Sequence, residues 1–401
     1  MRMNLPKWRI RIGLFFAAAS LLLTSLLITA VPVVLDLRSF LLSTSALSCI
    51  LLSIRQDRKS RPVLFVASLA GIAAFATAFD LWINYRTEDI RFTGGNGVEL
   101  AGTIYSPRAS ARHPGIVLIH GSGRETRDEY RFYARRFARA GIVTLAYDKR
   151  GSGASSGDFN SAGYEEFAAD AIGAVKVLRA RRDVDAVRVG IWGLSEGEWV
   201  GALTAVKTEP AFLVLISPSA MTPSEQVAYE SGSNVLRAGY SSAYAALARE
   251  LYGRIANFQR TGTGRDELNR QLAAYKSKPW FGAARYLSES VPEYDRVLAL
   301  DWFPTWRKRM DFDALPLYAR IRCPVLIQIG GDDPKNDGRA ALERLRKAFA
   351  QGKNSRFTGR FYPSGGHGMI LWKLPDHVPP PFFAHGYLEE QLEWIQNTMH
   401  F

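Results

Sequence analysis

The stretch Val187–Gly197 reads VRVGIWGLSEG and changes character at its centre. Its first six residues are mostly apolar and rich in β-branched side chains, which favours a buried strand, whereas residues 196–206 can form a helix. Gly193-Leu194-Ser195-Glu196-Gly197 lies between them and matches G-x-S-x-G. A sharp turn from strand to helix exposes a serine hydroxyl, and it needs glycines because bulkier side chains would collide there. The stretch therefore predicts that Ser195 is a nucleophile.

A second G-x-S-x-G segment, Gly153–Gly157, lacks this context. It follows Asp148-Lys149-Arg150-Gly151-Ser152 in a loop rich in glycine and serine, and no strand leads directly into it. We therefore interpret Ser155 as a loop serine.

From about residue 88, short β-type runs alternate with amphipathic stretches. This alternation predicts an α/β fold with a mainly parallel sheet and helices on both of its faces. Residues 90–92 and 98–104 predict an opening hairpin around a glycine-rich turn. Further strands are predicted at 115–119, 143–147, 187–192, 212–216, 325–329 and 356–362, and helices near 128–140, 164–181, 197–206, 338–350 and 386–399. We expect one catalytic domain over residues 86–401.

The segment from about residue 221 to 321 interrupts this alternation and is rich in aromatic side chains. It lies between two predicted strands, so we interpret it as a helical cap inserted into the domain.

A serine needs a base to activate it, and the base needs a group that orients it. Glycine-flanked His367 follows the last predicted strand, and Asp333 follows the strand before it. The carboxyl ends of parallel strands are where ligands bind in open α/β sheets. We therefore predict His367 as the base and Asp333 as the orienting acid, with Asp332 or Asp337 as alternatives for the acid. The other histidines fit the role less well: His113, His120, His377, His385 and His400.

The negative oxygen of a tetrahedral intermediate is commonly stabilised by two backbone N–H groups. We predict that one belongs to Glu196, the residue after the nucleophile, and the other to Ser122 in the loop His120–Gly123. The Glu196 carboxylate has two interpretations: it is favoured in the first turn of a helix by the helix dipole, or it attracts a cationic group of the substrate.

Together these motifs resemble the α/β-hydrolase superfamily over about residues 88–401, and the elbow and the opening hairpin resemble its bacterial esterase, dienelactone-hydrolase-like and serine-aminopeptidase-like branch. The resemblance implies a serine hydrolase that forms an acyl-enzyme with a small acyl substrate and needs no metal or organic cofactor. A carboxylic ester is the expected substrate, and a thioester or short peptide is the alternative. A catalytically silent membrane-tethered binding protein is a further alternative. Glu198 departs from the small residue usual after the elbow, which puts close helix packing there in doubt.

The first 85 residues predict a membrane region with two or three transmembrane helices. Residues 12–35 contain no charged side chain, and two further uncharged runs follow at 39–54 and 62–79. About 20 apolar residues are needed to span a bilayer, so the first run suffices and the second is marginal. A cleaved signal peptide is the competing interpretation. Basic residues before the first run and after the second place the catalytic domain on the non-cytoplasmic side if three runs span.

The net charge of +13 does not indicate nucleic-acid binding. Residues 1–85 contain nine Lys or Arg against three Asp, and the remaining excess is spread over the rest of the chain with both signs interspersed. No basic stripe interleaved with aromatic residues is present. We therefore expect no nucleic-acid partner.

Overall fold

The computed structural model of the protein describes residues 85–109, 111–284, 287, 303–371 and 383–400. The three runs predicted to span a membrane lie outside these residues. None of the helices within the described ranges is long and apolar enough to cross a bilayer.

Eight strands form one sheet in the spatial order β1-β2-β4-β3-β5-β6-β7-β8. The first two pair with each other in an antiparallel hairpin, β2 runs antiparallel to β4, and all the other pairs are parallel. The strands are β1 Tyr85–Thr93, β2 Glu99–Pro107, β3 His113–Ile119, β4 Val143–Tyr147, β5 Val184–Leu194, β6 Leu213–Ile216, β7 Val325–Gly330 and β8 Phe357–Tyr362.

Helices pack on both faces of this sheet because both faces are apolar. Successive residues along a strand point to opposite faces of the sheet, and they belong in turn to two separate hydrophobic clusters. One cluster includes residues of α2, α3 and α9, and the other includes residues of α1 and α10. The helices are α1 Arg131–Arg139, α2 Tyr164–Arg179, α3 Gly197–Thr208, α4 Pro223–Arg237, α5 Ser242–Thr261, α6 Arg265–Tyr275, α7 Phe303–Arg309, α8 Leu315–Tyr318, α9 Gly338–Gln351 and α10 Tyr387–Met399.

The predicted mainly parallel α/β sheet with its opening hairpin is confirmed, and most boundaries differ from the prediction by only a few residues. The strand β5 begins at Val184 rather than at residue 187, because Val184 pairs with His113 of β3 before a register shift. The predicted last helix is also found, and its buried Ile395 and its Leu388 pack in one of the two hydrophobic clusters.

The segment between β6 and β7 contains the helices α4 to α8 among its described residues. It has a hydrophobic cluster of its own, which includes Val235 of α4, Ile255 of α5 and Leu272 of α6. Arg309 of this segment contacts the main domain: its Nε donates to the Ala162 carbonyl at 2.9 Å. The insertion is therefore a helical layer with its own core, anchored to the loop before α2.

Candidate active site

Ser195 lies at the turn between β5 and α3, at the carboxyl end of a central strand. Its φ is +54°, a left-handed conformation that is costly for a residue other than glycine. The flanking glycines are required by close packing. A Cβ on Gly193 would lie 2.6 Å from the Gly197 carbonyl oxygen, and a Cβ on Gly197 would lie 3.1 Å from that of Ile119. The turn thus needs glycine on both sides and holds the serine in a strained conformation.

The structure brings Ser195, His367 and Asp333 together. Nε2 of His367 lies 2.9 Å from the Ser195 Oγ, and its Nδ1 lies 2.9 Å from Oδ2 of Asp333. The Asp333 side chain is fully buried, whereas the His367 side chain is 16% exposed. An ionised carboxylate only accepts hydrogen bonds, so Nδ1 carries the proton and Nε2 is free to accept from the serine hydroxyl.

Asp333 is held by two further donors beyond His367. Its Oδ1 accepts from the Lys335 amide at 2.9 Å, and its Oδ2 accepts from the side-chain amide of Asn336 at 3.1 Å. Asn336 is buried and also donates to the Ser217 carbonyl at 2.8 Å. Asn336 is not among the residues predicted from the sequence, where its position three residues after Asp333 is the only signal.

The two alternatives for the acid lie elsewhere in the same loop. Oδ1 of Asp332 accepts from Arg237 of α4 at 2.7 Å, so this carboxylate is paired with the inserted segment. Asp337 is the N-cap residue of α9 and accepts from the Ala340 amide at 3.0 Å. Of the three aspartates, Asp333 is the one in contact with His367.

The loops that carry Asp333 and His367 touch through their glycines. A Cβ on Gly330 would lie 2.0 Å from the Gly365 carbonyl oxygen, a distance that no side chain tolerates. The Gly368 amide donates to the Ser217 hydroxyl at 3.0 Å and ties the histidine loop to the end of β6. Glycine at these positions therefore brings the acid and base loops together.

The other candidate serine and histidines have different environments. The Ser155 hydroxyl donates to the Asp148 carbonyl at 2.6 Å and accepts from the Ala101 amide at 2.9 Å, as expected of a structural loop residue. Burial lowers the pKa of His120 to about 3, and its Nε2 contacts the Tyr147 carbonyl oxygen. His377 lies outside the described residues.

The predicted oxyanion donors belong to the two segments expected. Ser122 is exposed in the loop after β3, and Glu196 directly follows the nucleophile. The Glu196 side chain is buried and forms an ion pair with Lys149, which is also buried. Of the two interpretations of Glu196, attraction of a cationic substrate group is therefore wrong, because its carboxylate pairs with an internal lysine.

Glu198, in the first turn of α3, is buried without an ionic partner at hydrogen-bond distance among the described residues. Its carboxylate accepts from the Ser219 amide at 2.8 Å and from the Ala220 amide at 3.0 Å. Burial raises the pKa of Glu198 to about 7, although these donors act in the opposite direction. Glu198 therefore does not prevent close packing of α3, because its side chain is turned toward the loop after β6.

A cleft of about 710 Å³ opens beside His367. Its wall combines residues from the end of β5, the helix α4, the acid loop and the histidine loop. Apolar side chains and two chargeable ones contribute to it: Leu194, Ala238, Ala283, Pro334, Ile370, Glu230 and Lys335. The inserted segment therefore forms one side of the space next to the serine.

Comparison with known proteins places the chain among hydrolases. It is 24% identical over 252 residues to an uncharacterized 31.7 kDa protein of the traX-finO intergenic region of Escherichia coli, covering 61% of this chain and 82% of that protein. It is 31% identical over 151 residues to Esterase EstD of Thermotoga maritima, covering 36% of this chain and 35% of that protein. The crystal structure of the alpha/beta hydrolase GrgF from Penicillium sp. sh18 superposes with a TM-score of 0.50 at 20% identity, covering 79% of this chain and all of that one.

The fold and the contact chain from Ser195 through His367 to Asp333 define a serine hydrolase of the α/β-hydrolase fold. A family profile described as X-Pro dipeptidyl-peptidase (S15 family) matches residues 96–352. This is most of the chain, so the protein belongs to that family.

Proposed function

We propose that the protein hydrolyses carboxylic esters through an acyl-enzyme, with Ser195 as nucleophile, His367 as general base and Asp333 as the orienting acid. The observation that carries this proposal is the unbroken contact chain from the Ser195 Oγ through His367 to Asp333, at 2.9 Å on each side of the imidazole. The order of these residues along the chain is that of α/β-hydrolases.

The geometry supports a two-step acyl transfer. His367 Nε2 accepts the hydroxyl proton as the Ser195 Oγ attacks the carbonyl carbon, and buried Asp333 stabilises the imidazolium that forms. The imidazolium then donates this proton to the leaving alcohol as the bond between the carbonyl carbon and the alkoxy oxygen breaks. In the second step, His367 removes a proton from water, and the water oxygen attacks the acyl carbon. The bond between that carbon and the Ser195 Oγ then breaks, His367 returns the proton to Oγ, and the acid is released.

The negative charge that develops on the carbonyl oxygen requires fixed donors. We assign this role to the backbone N–H groups of Glu196 and Ser122. The first is in the opening turn of α3, where the helix dipole also favours negative charge. The second is in the loop after β3, next to the strand that carries the nucleophile.

An ester is the best-supported substrate because the cleft beside His367 is largely apolar and the relative from Thermotoga maritima is named an esterase. The S15 family description favours a second candidate, a peptide with proline before the scissile bond. The same triad serves both. We further propose that the insertion over residues 221–321 acts as a cap, since Arg237 of α4 pairs with Asp332 beside the acid.

The proposal is tested with purified full-length protein and a fluorophosphonate probe. Wild type should be labelled and should hydrolyse p-nitrophenyl esters, and Ser195→Ala should do neither. Ser155→Ala is the matched control and should retain both, because this serine of the second G-x-S-x-G segment donates to the Asp148 carbonyl and lies outside the triad. A p-nitrophenyl ester series compared with X-Pro p-nitroanilides distinguishes the two substrate classes. Labelling that persists in Ser195→Ala would contradict the assignment.

We also propose that residues 1–85 anchor the enzyme in a membrane with its catalytic domain on the non-cytoplasmic side. The support is compositional: three uncharged apolar runs with basic residues before the first and after the second. Protease accessibility of the catalytic domain in sealed inner-membrane vesicles of known orientation tests the side. Carbonate extraction tests the anchoring, and release of the protein into the soluble fraction would contradict it.

A further inference from the structure

Lys149 is the second residue after the end of β4, and it contacts residues of the two segments that form the proposed oxyanion hole. Its Nζ donates to the Gly121 carbonyl oxygen at 2.8 Å and pairs with Oε1 of Glu196. The side chain is buried, and Nζ also lies 4.6 Å from the centre of the Phe167 ring. A buried ammonium with two oxygen partners and an aromatic face is held in one place.

The contact with Gly121 has a consequence for Ser122. The carbonyl of Gly121 and the N–H of Ser122 belong to one planar trans peptide unit, so they point in opposite directions. An ammonium that holds this carbonyl on one side thereby fixes the Ser122 N–H on the opposite side of the peptide unit. The orientation of this donor is thus set by a side chain from another strand.

The preceding peptide unit is fixed as well. The Gly121 amide donates to Oε2 of Glu125 at 2.8 Å and to the Tyr130 hydroxyl at 2.6 Å. In addition, the Lys149 amide donates to the Glu125 carbonyl at 3.2 Å, so the main chain of Lys149 also contacts the oxyanion loop. Both peptide units of Gly121 therefore have partners, and Lys149 is the partner on the side that bears the donor.

The second contact acts on the other donor. Glu196 contributes the proposed N–H after the nucleophile, yet its carboxylate is buried within a few bonds of that N–H. An uncompensated negative charge there would repel the developing oxyanion, and the ammonium of Lys149 neutralises it. One side chain thus contacts Glu196 and Gly121, the residue before Ser122, and so joins the two segments that carry the proposed donors.

We propose that Lys149 is a positioning residue for ester hydrolysis: it holds the 121–122 peptide unit so that the Ser122 N–H faces the reacting carbonyl oxygen, and it offsets the charge of Glu196. The inference rests on the proposed function. It identifies a residue of the Asp148–Gly153 loop that acts on transition-state charge without touching the substrate.

The test uses Lys149→Met in the full-length protein. Loss of an oxyanion donor costs about 10²- to 10³-fold in kcat, so a misdirected donor should cost about 10- to 100-fold. We expect that loss in kcat for p-nitrophenyl butyrate with KM changed by less than about twofold. Affinity for an aryl trifluoromethyl ketone, whose adduct bears an oxyanion, should fall in parallel with kcat/KM. A ketone affinity equal to that of wild type would overturn the proposal.

A second variant separates orientation from charge and guards against misfolding. Lys149→Met combined with Glu196→Met removes both partners of the buried pair, so no unpaired charge remains. We expect this double variant to unfold near the wild-type temperature and yet keep the reduced kcat. Recovery of wild-type kcat would overturn the proposal, because Lys149 would then only neutralise Glu196.

The failure of this inference is distinguishable from that of the proposed function. If Ser195→Ala loses activity while Lys149→Met keeps wild-type kcat, the triad stands and the role of Lys149 is wrong. If Ser195→Ala stays active, both proposals fall together.

Discussion

The side-chain amide of Asn336 donates to Oδ2 of Asp333 at 3.1 Å, the same oxygen that lies 2.9 Å from Nδ1 of His367. Asn336 donates in addition to the carbonyl of Ser217, whose hydroxyl accepts from the Gly368 amide. The acid loop and the histidine loop are therefore joined through the triad and also by a second connection behind it, through Ser217. This second connection fixes the carboxylate against which the imidazole is aligned.

Asn336→Ala should reduce kcat by about 10- to 100-fold with little change in KM, because a small misplacement of catalytic groups costs that much. Stability should fall by about 1–3 kcal/mol, since the Ser217 carbonyl loses a buried donor. Asn354→Ala is the matched control. Asn354 is also buried and donates to two carbonyls, of Ile321 and Cys323, away from the serine. Its variant should lose stability and keep kcat, and equal losses of kcat would contradict the role of Asn336.

Asp333→Asn should reduce kcat by about 10³-fold or more, because an amide no longer stabilises the imidazolium or fixes the tautomer of His367. Asp332→Asn should stay within a few-fold of wild type, since its carboxylate pairs with Arg237 instead. Steady-state hydrolysis of a p-nitrophenyl ester measures both variants side by side. The opposite ranking would move the acid to Asp332.

The elbow and the order of the triad were predictable because the signals are local: a strand, a G-x-S-x-G turn and two polar loops after later strands. The sequence favoured Asp333 as the acid but left Asp332 and Asp337 open, because the choice among them depends on contacts from elsewhere in the chain. Arg237 holds Asp332 from 95 residues away, and that pairing leaves no trace in the sequence pattern.

Lys149 and the orientation of Glu196 were missed for the same reason. Their ion pair joins residues 47 positions apart, in the loops after β4 and β5, two strands that have β3 between them. Sequence reasoning could place Glu196 in the first turn of a helix, but it could not show which way the carboxylate points. The hydrophobic periodicity of the sequence identifies helices and strands and where they end. Side-chain contacts between loops depend instead on how the strands are arranged in the folded sheet.

Gly330→Ala should destabilise the protein and lower its activity together. The added Cβ would lie 2.0 Å from the Gly365 carbonyl oxygen, so the acid and histidine loops must move apart. Overpacking of this kind costs about 1–3 kcal/mol.

Gly253→Ala is the control, because this helical glycine has no atom within 4 Å of the position of an added Cβ. It should gain about 0.5–1 kcal/mol and keep its activity. Urea unfolding and ester hydrolysis check both, and an active, stable Gly330→Ala would contradict the packing argument.

Glu198 should make stability depend on pH. Burial raises its folded-state pKa from 4.5 to about 7, so the unfolded chain releases this proton first as the pH rises. Its contribution to stability is therefore fully present below about pH 4.5 and is lost as the pH rises to about 7, by about 3 kcal/mol in total. We therefore expect the free energy of unfolding of wild type to fall relative to that of Glu198→Gln as the pH rises across this window. Above the window, the difference between the two proteins should stay constant. A relative rise would mean that the buried carboxyl is ionised and its pKa lowered.

Ser195→Gly and Ser195→Ala should both be inactive but should differ in stability. The residue has a φ of +54°, which costs a residue with a Cβ about 1–2 kcal/mol and glycine almost nothing. Glycine loses more backbone entropy on folding, which offsets part of this gain. The glycine variant should therefore be more stable than the alanine variant by about 1 kcal/mol, measured as the difference in free energy of unfolding by urea. An alanine variant as stable as the glycine one would show that the elbow stores no strain at the nucleophile, and that the serine occupies this turn without a cost in stability.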